Sequence, residues 1–154
     1  MTETKTWSFT TIGTVSVLIS NSITISDTGY SSNSLEWQIA TASENDGLST
    51  GLTWNSNKLG INAGSYCSDM SLNSKTDWRL PTKTELASLI DTSVSAPTIV
   101  NELRNTTESS RYKTSTVDWT IGSYGIFYVD FSDSSIGGTN RSYYNDVRCV
   151  RDWP

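Results

Sequence analysis

Residues 125–131 alternate strictly, with Ile126, Tyr128 and Asp130 on one side and Phe127, Val129 and Phe131 on the other. This is the two-residue period of a β-strand with two unlike faces. The other apolar runs are equally short. Val15–Ile19 is strand-length and far below the ~20 residues of a membrane span. The pattern predicts N-terminal strands at 6–11, 14–19, 22–26 and 35–40, broken by Gly13, Asn21 and Asp27-Thr28-Gly29. It predicts C-terminal strands at 118–121, 125–131 and 143–150, and a loop-rich stretch at 41–60 with turns at Asp46-Gly47 and Thr50-Gly51.

One helix is signalled strongly. In Arg79-Leu80-Pro81-Thr82-Lys83-Thr84-Glu85, Thr82 and Glu85 fit a capping box, and Leu86, Leu89 and Ile90 then share one face. This predicts a helix over about 82–91. A second short helix over 61–70 carries Cys67 despite Gly64 inside it, and Pro97 to Arg104 suits one more helical turn. Together these elements predict an α+β domain: small antiparallel sheets flanked by two short helices, with additional N-terminal strands.

The 154 residues are expected to form a single domain, with residues 1–49 an N-terminal strand region and residues 50–151 the main unit. Ser, Thr and Asn account for 59 positions, but six Trp and seven Tyr spread along the chain argue against disorder. There is no histidine. That removes Ser-His-Asp and Cys-His catalysis and His-based metal centres. The net charge of −5 gives no general drive toward nucleic acid or an anionic membrane. Neither nucleic-acid binding nor membrane insertion is expected. No secretory signal follows Met1, so export would make this chain a mature or excised piece.

Three segments in order carry a resemblance: Thr50-Gly51-Leu52-Thr53-Trp54, then Asp77-Trp78-Arg79-Leu80-Pro81-Thr82-Lys83-Thr84-Glu85-Leu86, then Tyr128-Val129-Asp130-Phe131-Ser132-Asp133 leading to Val147-Arg148-Cys149-Val150-Arg151. Over about residues 50–151 the chain resembles the bacterial domain family typified by the C-terminal domain of the Legionella collagen-like adhesin. The resemblance implies a C-type-lectin-like fold and a secreted or bacterial cell-surface binding module. It also implies sulfated glycosaminoglycans as ligands and presentation as a homotrimer. In such a fold Cys67 and Cys149 stand where a disulfide joins the beginning and the end of the domain. The alternative is two separately buried thiols.

Trp78, Arg79 and Leu80 precede a capped helix and read as a structural corner. The candidate binding surface is the segment 104–146, with Arg104, Arg111, Tyr112, Lys113, Tyr124, Arg141, Tyr143, Tyr144 and Asn145. Tyr offers contact area at low entropy cost, and Arg grips sulfate or carboxylate in a bidentate fashion. The basic members Arg104, Arg111, Lys113 and Arg141 would meet a sulfated glycan, and the tyrosines a host surface protein. A soluble loop is the plain alternative.

Asn145 and Asp146 echo a lectin calcium motif. Calcium takes six to eight oxygens, and these two fall short unless Asp130, Asp133 or loop carbonyls join them. The expectation is binding without a cofactor. The Arg-Leu-Pro-Thr-x-x-Glu pattern also resembles the formylglycine-generating family, which would need a reactive Cys149. A hydrolase would need Asp130 and Asp133 as a carboxylate pair. A noncatalytic domain is the expected outcome.

Overall fold

The computed structural model describes residues 9–11, 14–19, 22–25, 34–40 and 62–153. The expected loop 41–60 and the start of the first expected strand, at residues 6–8, lie outside the described residues. Strands β1 (Phe9–Thr11), β2 (Thr14–Ile19), β3 (Ser22–Ile25) and β4 (Leu35–Gln38) follow one another as an antiparallel meander. The last strand, β8 (Val150–Asp152), closes that sheet against β4 with Val150 opposite Trp37 and Arg151 opposite Glu36. The N-terminal strands therefore complete a sheet begun by the chain's last residues. A second sheet is formed by β5 (Arg111–Val117), β6 (Gly125–Asp130) and β7 (Ser135–Asn140), all antiparallel.

Alternation places Ile23, Ile25, Leu35 and Trp37 in one core with Tyr112, Val129 and Phe131 of the second sheet's inner side. Tyr112 meets Phe131 edge to face, with ring centroids 5.3 Å apart. Leu86, Leu89, Ile99 and Leu103 fill the space between the sheets. A second cluster packs Ala63, Trp78, Leu80 and Val147 around the two cysteines. Trp78 and Leu80 are thus architectural, and Arg79 is held by Glu85 at 2.9 Å and Asp152 at 2.8 Å.

The helices are shorter than expected. Helix α1 is Ala63–Ser68 with Asn62 capping it, α2 is Lys83–Ala87, and α3 is Asn101–Arg104. The capping box of α2 forms, with Glu85 N–H donating to Thr82 Oγ1 and Thr82 N–H to Glu85 Oε2. The helix stops at Ala87 because the Ser88 hydroxyl donates back to the Glu85 carbonyl and Ile90 turns to bridge Ile99. Leu86 and Leu89 are nevertheless buried on the expected face.

Two expected strands are corrected. Residues 118–121 form a 3-10 turn, Trp119–Ile121, because the Asp118 carboxylate accepts from both the backbone and the hydroxyl of Thr120 and caps it. Of the expected strand 143–150, only Val150 is in one. Residues 143–146 form a loop that is bridged to β5 through Tyr112 and Asp146. Strands β5 and β7 fall outside the strands that the sequence pattern predicts. In β7, Gly137 and Gly138 lower strand propensity, but neighbours need the room: a Cβ at Gly137 would strike the Tyr128 ring, and one at Gly138 the Asp118 carboxylate.

Cys67 on α1 and Cys149 form a disulfide across 82 residues. Closing a loop of that length in the unfolded chain is worth about 4–5 kcal/mol in the chain-entropy model. The Cys67→Ala/Cys149→Ala double variant is expected to lose several kcal/mol in a urea titration while keeping a cooperative transition. A loss below about 1 kcal/mol would show that the crosslink adds little beyond packing.

Candidate ligand-binding face

The second sheet has two sides of opposite character, set by strand alternation. Tyr112 and Val129 pair across β5 and β6 and point to the core. Their neighbours Arg111 and Asp130 pair across the opposite side, as do Lys113 and Tyr128. On that outer side Arg111 Nε donates to Asp130 Oδ2 at 3.2 Å, and its guanidinium stacks 4.6 Å over the Tyr128 ring. The Arg111 side chain remains half exposed. Asp130 Oδ1 accepts from the backbone and hydroxyl of Ser132, so the carboxylate is fixed from both sides.

The loop 141–146 runs beside β5, on the edge away from β6. Asp146 N–H donates to the Arg111 carbonyl at 2.9 Å, and Lys113 N–H donates to the Asp146 carbonyl at 3.0 Å. The Asp146 carboxylate accepts from the Ser110 hydroxyl. Beneath the loop the Lys113 ammonium donates to the Tyr143 carbonyl at 2.7 Å and to Asn145 Oδ1 at 3.3 Å. Burial lowers the Lys113 amine to about 8. Burial pushes the Tyr112 hydroxyl up, so it stays protonated through the same range.

Two clefts open on this face. One, of about 350 Å³, lies between Arg111, Asp130, Ser132, Tyr144 and Asp146. The other, of about 710 Å³, has Gly138 to Asn140 as its floor and Ile121 and Tyr143 among its walls. Arg111, Tyr144 and Asn145 line both. Large rings stand exposed on the same loops: Trp119 at 75%, Tyr143 at 65%, Tyr124 at 64% and Tyr144 at 46%. The backbone joins the two loops, since Arg141 N–H donates to the Tyr124 carbonyl at 2.9 Å.

The structure thus gathers Arg111, Tyr143, Tyr144 and Asn145 around the clefts, with Tyr124 and Arg141 on the adjoining loops. Tyr112 and Lys113, placed on the binding surface by sequence, have no exposed surface. Tyr112 belongs to the core, where its hydroxyl accepts from Glu108 N–H, because it falls on the inward phase of β5. Arg104 is held on α3, donating to the carbonyls of Pro97 and Ser95 at 3.1 and 2.7 Å. Trp119 and Ile121 were missed because their segment read as a strand. The Asp118-x-Thr120 capping pattern was the available signal.

Neither cysteine retains a free thiol, which removes the formylglycine-type nucleophile. Among the described residues no group of three or more Asp, Glu or Cys is arranged to hold a metal ion, and no helix is long and apolar enough to cross a membrane.

Two small antiparallel sheets, short helices and a loop-covered face define an α+β, C-type-lectin-like domain. Residues 24–151 match the family model of the Lcl C-terminal domain, and the chain belongs to that family of lectin-like, adhesin-type domains. The match reaches upstream of residue 50, into β3 and β4. Searches of curated proteins and of solved structures return no match.

The lowered Lys113 amine has a consequence for stability. An unfolded lysine titrates near 10.4, so between about pH 8 and pH 10 the unfolded chain binds more protons and stability rises with pH. The thermal midpoint of the wild type is expected to rise over this window relative to that of Lys113→Met. Parallel midpoint curves would show that the amine titrates normally.

Proposed function

We propose that this domain is a noncatalytic extracellular binding module of adhesin type that holds a glycan on the outer side of the β5–β6–β7 sheet. The observation that carries the reading is the meeting of two clefts at Arg111, Tyr144 and Asn145 beside exposed aromatic rings. Sugar rings present apolar faces that stack on Tyr and Trp, and hydroxyls that bond to carboxylate and amide oxygens. The half-exposed Arg111 guanidinium suits a sulfate or uronate group, exchanging its bond to Asp130 for a bidentate one. With Arg104 engaged elsewhere and Lys113 buried, one protomer offers few free cations for a polyanion. Repetition of the face in a homotrimer would supply affinity through avidity. The disulfide suits a secreted or cell-surface location.

A host surface protein is the second reading. The exposed Trp119, Ile121 and Ile136 favour it, since Trp and other large side chains anchor protein interfaces.

The test is a glycan array followed by titration of heparin into the purified chain. Arg111→Ala is expected to weaken heparin at least about tenfold, with a shallower salt dependence, as loss of a charged contact entails. Tyr144→Ala should weaken it at all salt concentrations without lowering the thermal midpoint. Absence of any glycan ligand, together with capture of a cell-surface protein that Trp119→Ala abolishes, would replace the glycan reading with the protein one.

A further inference from the structure

Lys113 sits one residue pair from Arg111 on the same side of β5, yet its side chain has no exposed surface. Burying an ammonium is costly unless acceptors surround it. The two it has are neutral oxygens of the binding loop, the Tyr143 carbonyl and Asn145 Oδ1, at 2.7 and 3.3 Å. The nearby carboxylates are engaged by other donors, Asp130 by Arg111 and Ser132, and Asp146 by Ser110. A methionine would fill the same volume on the sheet without the desolvation cost, so packing alone does not account for a lysine here. Asn145 is also the residue whose oxygen the sequence suggested for calcium. An ammonium on that oxygen repels a second cation.

We propose that Lys113 is a positioning residue acting as the built-in cation of the binding loop: its ammonium gathers the Tyr143 and Asn145 oxygens as a bound metal ion would, and holds Tyr143, Tyr144 and Asn145 in place without calcium. The reading of this face as the ligand site lends the loop its importance, but the anchoring itself is measurable without a ligand.

The experiment is hydrogen exchange by mass spectrometry on the full chain, comparing wild type, Lys113→Met and Asn145→Ala, each with chelator and with added calcium. The peptide covering 141–147 is expected to exchange about tenfold faster or more in Lys113→Met, the effect of losing charged hydrogen bonds from a local opening equilibrium. Peptides of β5 and β6 should stay protected, and the thermal midpoint should not fall. Asn145→Ala should loosen the same peptide to a smaller degree. Wild-type exchange should be the same with chelator as with calcium.

Unchanged exchange at 141–147 in Lys113→Met would overturn the proposal, as would calcium-dependent protection of that peptide in the wild type. If Lys113→Met instead loosens the whole chain, Asn145→Ala decides: the proposal stands if that variant loosens 141–147 alone and falls if it does not. Heparin titrations on the same samples separate the two readings. Loop loosening with no heparin binding by any variant would sink the glycan reading and leave the anchor. Heparin binding with a loop indifferent to Lys113 would do the reverse.

Discussion

Arg151 lies buried where four segments meet. It donates to Glu36 at 2.6 Å and grips Asp77 through Nε and Nη2 at 2.7 and 3.0 Å. Glu36 also accepts from Ser22, whose hydroxyl in turn accepts from Asn73. Such a pair adds little stability over a hydrophobic substitute, but it is intolerant of misplacement. A one-residue slip of β8 along β4 would bury an unpaired guanidinium and an unpaired carboxylate, and would turn Val150 away from Trp37. Register in the first sheet is therefore enforced by charge as well as by the apolar pattern.

Everything upstream in the last segment follows from that register. With Arg151 seated, Cys149 faces α1 and bonds Cys67, and the Gln38 side chain ties the same two segments, donating to the Tyr66 hydroxyl and accepting from Cys149 N–H. Arg148 then points inward, where it donates to carbonyls at the end of β4 and to Thr106 and Thr107. These contacts fix where the 141–146 loop must end, and Lys113 and Ser110 hold it beside β5. Together these contacts hold an otherwise irregular loop in register with Arg111.

Much of this was legible in residue order, where local physics and the final packing agree. The N-terminal strands, β6, and the capping box of α2 appear where the period-two pattern and the Thr82–Glu85 pair place them. The failures come from side chains that redirect the backbone, one of them close by in the sequence and the others far off. Residues 118–121 look like a strand until Asp118 turns back on Thr120. β7 looks like a glycine turn until Tyr128 and Asp118 occupy the space its missing Cβ atoms leave. Residues 143–150 look like a strand until a lysine thirty positions earlier claims Tyr143 and Asn145. The face proposed for the ligand is marked in the sequence by its Tyr, Arg and Asn content. Its division into core and surface needed the phase of β5, which puts Tyr112 inside and Arg111 outside.

The absence of histidine takes on meaning at this face. Imidazole is the side chain whose ordinary pKa lies between pH 5 and 8, and burial brings the ammonium under the loop to about 8, so that it is mostly protonated at neutral pH. The charge that shapes the loop is therefore held in acidic surroundings and begins to be lost above neutral pH. A pH switch would need a group that titrates between about pH 5 and 8, and an enzyme would want one as a proton shuttle. The buried lysine loses its charge only toward the alkaline end of that range, so the loop it anchors is held through acidic and neutral pH.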